Sequence, residues 1–128
     1  MWRRLRLRRR GDFLQLRRVG RTVQHPMLLV NYGENGQSHN RYGFITPKRL
    51  GSAVVRNRVR RRLREAVRAC HPQLRQGYDI VFVARAALAQ QPYSEVLRHV
   101  TNLLEQTGLL KRDIASYEMA GPESDPLL

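Results

Sequence analysis

Seven arginines lie within the thirteen residues from Arg56 to Arg68. Guanidinium groups bind phosphate oxygens in pairs and stack on nucleobases, so a cluster of this density is suited to a polyanion. The same segment carries apolar residues every three or four positions, and at about 100° per residue these fall on one helical face. They are Val55, Val59, Leu63, Ala66 and Cys70. The opposite face carries Asn57, Arg60, Arg61, Arg64 and Arg68. The pattern predicts a helix that packs one side in a core and presents the other to nucleic acid.

A solvated charged surface without a partner is a poor explanation of this segment, because arginine ladders at i, i+4 destabilise an isolated helix. The chain has two such ladders, Arg56, Arg60 and Arg64, and Arg58 and Arg62. Only Glu65 partly offsets their repulsion. A DNA-reading helix of the zipper type is a second interpretation, but no heptad pattern continues past Cys70. The residues favour binding to an RNA backbone.

Side chains for catalysis by the protein are not gathered in the sequence. The four histidines are scattered without metal-ligand spacing, no Cys/His zinc motif is present, and no glycine-rich phosphate loop occurs. Seven of the ten carboxylates come after Tyr78, away from the arginine segment. A two-metal nuclease needs clustered acidic ligands. We therefore predict no catalytic side chain and no metal site on the protein.

Length and charge indicate one basic domain. The chain has 128 residues and a formal net charge of +14. The balance is +17 over residues 1–78 and −3 over residues 79–128, so binding is predicted in the first two-thirds. No apolar run approaches the roughly 18 residues of a membrane span. Because Cys70 is the single cysteine, no disulfide can form within the chain, which favours a cytoplasmic location.

The arginine helix requires a sheet to pack on, and the rest of the chain predicts one. Asp12 is the expected N-cap of a short helix that ends at Gly20, and Gly33–Asn40 is expected to be the loop of a β-hairpin. The predicted order is α-β-β-β-α-β-α, an α/β (α+β) two-layer sandwich. Strands are expected at residues 21–24, Met27–Tyr32, Arg41–Thr46 and Tyr78–Ala84, and helices at Ser52–Cys70 and from Pro92 to Gly108. One domain is predicted over residues 1–112, with a basic arm at 1–10 and a disordered tail at 113–128.

The segment TPKRLGSAVVRNRVRRRLRE, from Thr46 to Glu65, closely resembles the RNR signature of the bacterial ribonuclease P protein family. LRLRRRGDF near the start, the pair Gly20 and Arg21, and GYDIVFVAR from Gly77 resemble further blocks of that family. The similarity extends from about Leu5 to Gly108. It implies a ribosomal-protein-like fold with a left-handed βαβ crossover.

The resemblance also implies a function. The family's protein binds a catalytic RNA and the 5′ leader of precursor tRNA, and Mg²⁺, bound mainly by the RNA, supports hydrolytic removal of the leader. No membrane partner and no obligate protein partner are expected. The implied RNA-subunit contacts are Lys48, Arg49, Arg56, Asn57, Arg58, Arg60, Arg61, Arg64 and Arg68.

A cleft between the sheet and the first helix would take the leader, through Phe13, Arg17 and Phe44. Arg17 and Asn31 stand where the family often has aromatic residues, so leader contacts are expected to depend more on arginine than on stacking.

Two other functions share some of these features. A non-enzymatic RNA-binding protein, such as a ribosomal protein of related topology, would have the same charge and fold class. A membrane-binding peptide built on the first ten residues would explain the basic start alone.

Overall fold

The computed structural model of the protein describes residues 5–7 and 10–111. The remainder of the predicted basic arm and the tail at 113–128, predicted to be disordered, lie outside the described residues. The elements are α1 (Arg10–Val19), β1 (Arg21–Gln24), β2 (Leu28–Glu34), β3 (Arg41–Ile45), α2 (Ala53–Cys70), β4 (Tyr78–Ala84) and α3 (Tyr93–Thr107). Short 3-10 turns occupy Lys48–Leu50, His71–Gln73 and Ala86–Gln90. This mixed α/β order agrees with the sequence-based prediction.

The four strands form one sheet in the order β1-β2-β4-β3. β4 is antiparallel to β2 and parallel to β3, so β3, α2 and β4 form the expected crossover unit. The hand of that crossover stays a prediction.

The predicted hairpin between β2 and β3 is wrong, because β4 lies between these two strands. β4 is almost entirely buried, and the centre of a sheet is where a strand can bury both of its faces. The turn after β2 is held instead by Asn35, whose backbone N–H donates to Gly77 O at 2.9 Å. Its side chain also donates to Asp79 Oδ1 at 3.0 Å.

The main core lies between one face of the sheet and the helices α2 and α3. The apolar side of α2 is confirmed: Val59, Leu63, Ala66 and Cys70 are buried, and Val67 joins them. Val55 is half-buried at the edge of the same cluster. From the sheet, Leu28, Val30, Tyr42, Ile80 and Phe82 complete the core. Burial of these side chains holds the arginine helix rigidly against the sheet.

Two predicted helix ends are confirmed and one predicted cap is wrong. The Ser52 hydroxyl accepts the Val55 N–H at 3.3 Å and caps α2, while Gly108 ends α3 in the left-handed conformation with φ 81°. Asp12 is not an N-cap, because α1 begins at Arg10. Its carboxylate lies in the first turn, where the helix dipole favours it, and pairs with Arg41 at 3.5 Å.

Helix α1 packs on the other face of the sheet. Leu16 and Leu7 form a second, smaller cluster there with Val81, and the Phe13 ring packs against it. Gly20 permits the close approach of α1 to β2, since a Cβ at this position would lie 2.7 Å from Tyr32 O. Both faces of the sheet are therefore used: one by the core under α2 and α3, the other in part by α1.

Candidate nucleic-acid interface

The arginines of α2 divide between two flanks of the helix. Residues two positions apart on an α-helix are separated by about 200°, so Arg58 and Arg60 project to opposite sides, as do Arg62 and Arg64. The β3 flank carries Arg56, Arg60 and Arg64. The far flank carries Arg58 and Arg62, and Arg62 Nη1 donates to Gln91 O at 2.7 Å on that side. Asn57, Arg61 and Arg68 lie between the flanks and are exposed.

Arg60 is fixed by two hydrogen bonds to neighbouring side chains. Its Nη2 donates to Thr46 Oγ1 at 2.5 Å, and its Nη1 donates to Asn57 Oδ1 at 2.7 Å. Thr46 directly follows β3, so the first bond ties the guanidinium to the edge of the sheet. Because the Asn57 oxygen is engaged by Arg60, Asn57 positions an arginine in addition to facing solvent.

The edge strand β3 borders a cavity of about 260 Å³, here called the β3 groove. Its described lining residues are Arg6, Leu7, Phe13, Tyr42, Gly43, Phe44, Arg60 and Arg64. The chain before α1 closes one side, where the Leu7 N–H donates to Tyr42 O at 2.7 Å. The groove thus joins two sets of residues that sequence reasoning assigned to different partners. The predicted leader residues Phe13 and Phe44 line it together with Arg60 and Arg64, which were assigned to the RNA subunit.

The two phenylalanine rings of the β3 groove have different environments. A Cβ on Gly43 would lie 2.7 Å from Phe13 Cε1, so the ring of Phe13 lies directly on the backbone of β3. Phe44 is on the other face of the strand, where its ring stacks on Phe82 at a centroid distance of 5.6 Å and an angle of 15°. Phe44 is therefore partly buried in the main core, while Phe13, a residue of α1, is half-buried against the smaller cluster.

Positive charge is concentrated at the β3 groove. Three guanidinium groups line it, and none of its described lining residues is acidic. Burial, with the charges of Arg6 and Arg60, lowers the pKa of Arg64 from its usual value, although the group stays protonated at neutral pH. The Arg64 Nε is enclosed and has no hydrogen-bond partner among the described residues. An anion would relieve the repulsion and satisfy this donor.

The other predicted leader residue, Arg17, does not line the β3 groove. It lies one turn after Phe13 and is exposed. Asn31 is buried, and its amide donates to Arg21 O at 2.9 Å and to Thr22 Oγ1 at 3.2 Å, so its role is structural.

Sequence reasoning missed an apolar row on the sheet face that α1 partly covers. Leu29, Val83 and Ile45 are aligned across β2, β4 and β3, and Ile45 is 38% exposed. Strand alternation could have separated these residues from the core, but their alignment required the strand order. The row extends the apolar surface beside Phe13.

The remaining predicted RNA contacts are at the ends of α2. Lys48 and Arg49 are exposed on the 3-10 turn before the helix. The next residue, Leu50, is buried and anchors that turn to the core. Arg68 is exposed near the last turn and lies 3.7 Å from Glu65, a surface ion pair of little energetic weight.

A larger cavity of about 680 Å³ lies on the other side of α1. Its wall includes the ion pair between Arg41 and Asp79, in which Arg41 Nε and Nη2 donate to the two carboxylate oxygens at 2.9 and 2.8 Å. Asp12 and Glu34 also line it, with Arg21. This cavity has mixed charge and is separate from the arginines of α2, so the β3 groove is the better candidate for binding phosphate.

The described residues show neither a metal cluster nor a membrane-spanning helix. Residues 5–7 and 10–111 contain no group of three or more His, Cys, Asp or Glu side chains able to hold a metal ion. Within that part of the chain, no helix is both long and apolar enough to cross a membrane.

Comparison with known proteins identifies the family. Residues 1–108 match the Ribonuclease P family. The ribonuclease P protein component of Roseiflexus sp. (strain RS-1) is 46% identical over 112 residues, which are 87% of this chain and 92% of that protein. The corresponding protein of Symbiobacterium thermophilum is 42% identical over 109 residues, 84% of this chain and 95% of that protein.

Solved structures of RNase P proteins are similar to this chain as well. The RNase P protein from Thermotoga maritima has a TM-score of 0.73 at 30% identity, covering 79% of this chain and 96% of that one. The RNase P protein of Staphylococcus aureus has a TM-score of 0.78 at 23% identity, covering 83% and 97%, and supports the fold. The chain therefore belongs to the ribonuclease P protein family, whose members are RNA-binding subunits of an endoribonuclease.

Proposed function

We propose that this subunit binds the catalytic RNA of ribonuclease P through α2 and the 5′ leader of precursor tRNA beside Phe13. The reaction is hydrolysis of one phosphodiester: a water oxygen bonds to phosphorus, the leader departs with its 3′ hydroxyl, and the tRNA keeps a 5′ phosphate. The RNA carries this chemistry. The observation that supports the proposal is the adjacency of the arginine surface of α2 to an aromatic groove at the sheet edge.

The chemistry of the described residues supports this division between protein and RNA. Arginines supply positive charge and hydrogen-bond donors but cannot act as a general base at neutral pH. Mg²⁺, bound mainly by the RNA, would neutralise phosphate charge and activate water. The arginine side chains would lower the repulsion between two RNA molecules, and the groove would hold the leader. A cytoplasmic location remains an expectation from the single Cys70 and from tRNA processing.

The docking surface for the catalytic RNA can be tested with Arg61→Ala, which removes an exposed arginine without a core contact. We expect weaker assembly with the RNA subunit and a salt dependence of log K flatter by about 0.7–0.9 per lost phosphate contact. Arg98→Ala is the matched control, because Arg98 is an exposed arginine on α3 that pairs with Glu95 at 2.6 Å. Equal effects of the two substitutions would refute the assignment of the docking surface to α2.

The leader site can be tested with Phe13→Ala in the reconstituted holoenzyme. Stacking on an aromatic ring contributes about 1–3 kcal/mol per base, so precursor tRNA should bind about fivefold or more weakly while mature tRNA is unaffected. Phe13→Tyr keeps the ring and should retain the preference for precursor. Losses of the same size for precursor and mature tRNA would argue against a leader site at Phe13.

A further inference from the structure

Arg85 is a half-buried arginine that forms no ion pair with an acidic side chain among the described residues. It directly follows β4, and its backbone N–H donates to Met27 O at 3.0 Å. Within the described part of the chain its guanidinium makes one hydrogen bond, from Nη2 to Gln24 Oε1 at 3.2 Å. The Nε is enclosed and has no partner there. Because charges that are removed from water are normally paired, Arg85 indicates a site for an anion.

Arg85 lines a cavity of about 310 Å³ together with Gln24, His25 and Pro26, here called the Arg85 pocket. His25 adds a second donor, because its Nδ1 accepts the Met27 N–H at 3.1 Å and the neutral ring then carries its proton on Nε2. The Gln24 oxygen accepts Arg85, so the amide NH₂ of Gln24 is a third donor. None of the four lining residues is acidic. The pocket therefore offers three kinds of N–H donor and a positive charge.

The carboxylate that α3 brings to this corner of the fold is already engaged within α3. His25 packs on His99, with ring centroids 4.8 Å apart. Glu95 lies 3.9 Å from His99 Nε2, and its Oε1 accepts two hydrogen bonds from Arg98, at 2.6 and 3.1 Å. Glu95 is thus neutralised by its own helix, and the positive charge of Arg85 stays uncompensated.

The Arg85 pocket lies at the end of the sheet that carries the predicted RNA contacts Lys48 and Arg49. Because β3 and β4 are parallel, the 3-10 turns Lys48–Leu50 and Ala86–Gln90 follow them at the same end, and these two turns pack together. The turn Ala86–Gln90 also packs on α2. The pocket shares no lining residue with the β3 groove. It is therefore a separate position for an anion, beside a surface predicted to bind RNA.

We propose that the Arg85 pocket binds a backbone phosphate of RNA, through the guanidinium of Arg85, the Nε2–H of His25 and the amide of Gln24. The site extends RNA binding beyond α2 and the β3 groove, to the corner between β1 and β2. This inference rests on the proposed function of the chain as a ribonuclease P subunit. The same chemistry fits a phosphate of the catalytic RNA or of the tRNA substrate, and the test distinguishes the two.

The test compares Arg85→Ala with Arg75→Ala, since each removes one arginine charge. Arg75 is exposed and precedes β4, whereas Arg85 follows it, so the two lie at opposite ends of the strand. Affinity for the catalytic RNA, and affinity of holoenzyme assembled at saturating protein for precursor and mature tRNA, are measured over a range of salt concentrations. In one of these equilibria Arg85→Ala should lower the affinity by about three- to tenfold and flatten the salt dependence of log K by about 0.7–0.9. Arg75→Ala should change neither.

A loss of affinity for the catalytic RNA assigns the phosphate to that RNA, and a loss confined to precursor or mature tRNA assigns it to the substrate. Arg85→Lys keeps the charge without the planar fork, so it should retain the salt dependence and lose less affinity than Arg85→Ala. This second variant separates loss of the phosphate contact from loss of the fold. Equal effects of Arg85→Ala and Arg75→Ala in all of these measurements would overturn the inference.

Inorganic phosphate tests the pocket in the absence of RNA. In a titration followed by NMR, the ring C–H signals of His25 should shift, while those of His39, in the loop after β2, should not. The shift should disappear in Arg85→Ala, because the two side chains would hold the same anion. A response of His25 that is absent, or that is the same in the wild type and in Arg85→Ala, would contradict the proposed site.

Failure of the proposed function has a different signature. If Arg61→Ala leaves assembly with the catalytic RNA unchanged, the role of α2 as the docking surface is wrong, and the phosphate titration still decides whether the Arg85 pocket binds an anion. If Arg61→Ala weakens assembly while Arg85→Ala has no effect on any RNA, only the inference about the Arg85 pocket is wrong.

Discussion

Substitution of Asn40 should destabilise the protein strongly, because the side chain is buried and bonded to three partners. Asn40 is fully buried just before β3. Its Nδ2 donates to Arg75 O at 2.8 Å and to the Tyr42 hydroxyl at 3.1 Å, while its Oδ1 accepts the Tyr78 N–H at 2.8 Å. One amide therefore connects the starts of β3 and β4 with the segment that follows α2.

The network continues from Tyr42 to the end of the arginine helix. The Tyr42 hydroxyl lies 2.6 Å from His71 Nδ1, and burial raises the pKa of Tyr42 to about 12, so the phenol stays protonated. Asn40→Ala leaves the Tyr78 N–H and the Arg75 carbonyl without their partner. An unsatisfied buried group costs about 1–3 kcal/mol, and two such groups give about 2–6 kcal/mol. Because both bonds are only part-buried, water can replace them in part, and we expect a loss of about 2–4 kcal/mol in the free energy of unfolding.

Urea unfolding followed by circular dichroism measures this loss, provided that the m-value is the same in both proteins. Ser38→Ala is the matched control, since Ser38 is exposed in the same loop and its substitution should change stability by less than about 0.5 kcal/mol. A loss below about 1 kcal/mol for Asn40→Ala would refute the reasoning, because the two orphaned backbone groups would then have found other partners.

Two further predictions concern pH and the core. Burial lowers the pKa of His71 and of His99, and the nearby His25 lowers that of His99 further. The two histidines therefore take up protons at a higher pH in the unfolded chain than in the folded one. Urea midpoints should be highest above about pH 6.5 and should fall as the pH drops toward 5. His71→Gln should make this fall smaller, and a pH dependence equal to that of the wild type would contradict the prediction. Leu63→Ala, at a fully buried position of α2, should lower the free energy of unfolding by about 2–5 kcal/mol. Val54→Ala, at a position of the same helix that is 72% exposed, should lower it by less than about 0.5 kcal/mol. Similar losses for the two variants would show that α2 is not a core helix.

Local patterns in the sequence were sufficient to predict most of the helices and strands. The spacing of Val59, Leu63 and Cys70 and the cap at Ser52 defined α2, because a helix is stabilised by contacts within four residues and by one apolar stripe. The strand Tyr78–Ala84 and the end of α3 at Gly108 were likewise predicted at their observed positions. The cap at Asp12 failed because α1 begins two residues earlier, in a run of arginines without a start signal.

The pairing of strands could not be read from local patterns. The turn-rich loop between β2 and β3 has the composition of a hairpin, yet β4, more than thirty residues later, separates the two strands. Which strand lies at the centre of a sheet is decided by the total burial of apolar side chains, a property of the whole chain. The alignment of Leu29, Val83 and Ile45 depends on the same choice.

The sequence by itself determined that the chain binds nucleic acid, because its charge and the arginines of α2 are properties of composition and helical period. Only the tertiary structure decided that Arg60 and Arg64 share a groove with Phe13 and Arg6. The physical reason is that this groove forms where three separate segments meet at the edge of β3, and where Gly43 leaves room for an aromatic ring. The periodicity of residues within one segment cannot predict which other segments that segment contacts in the folded chain.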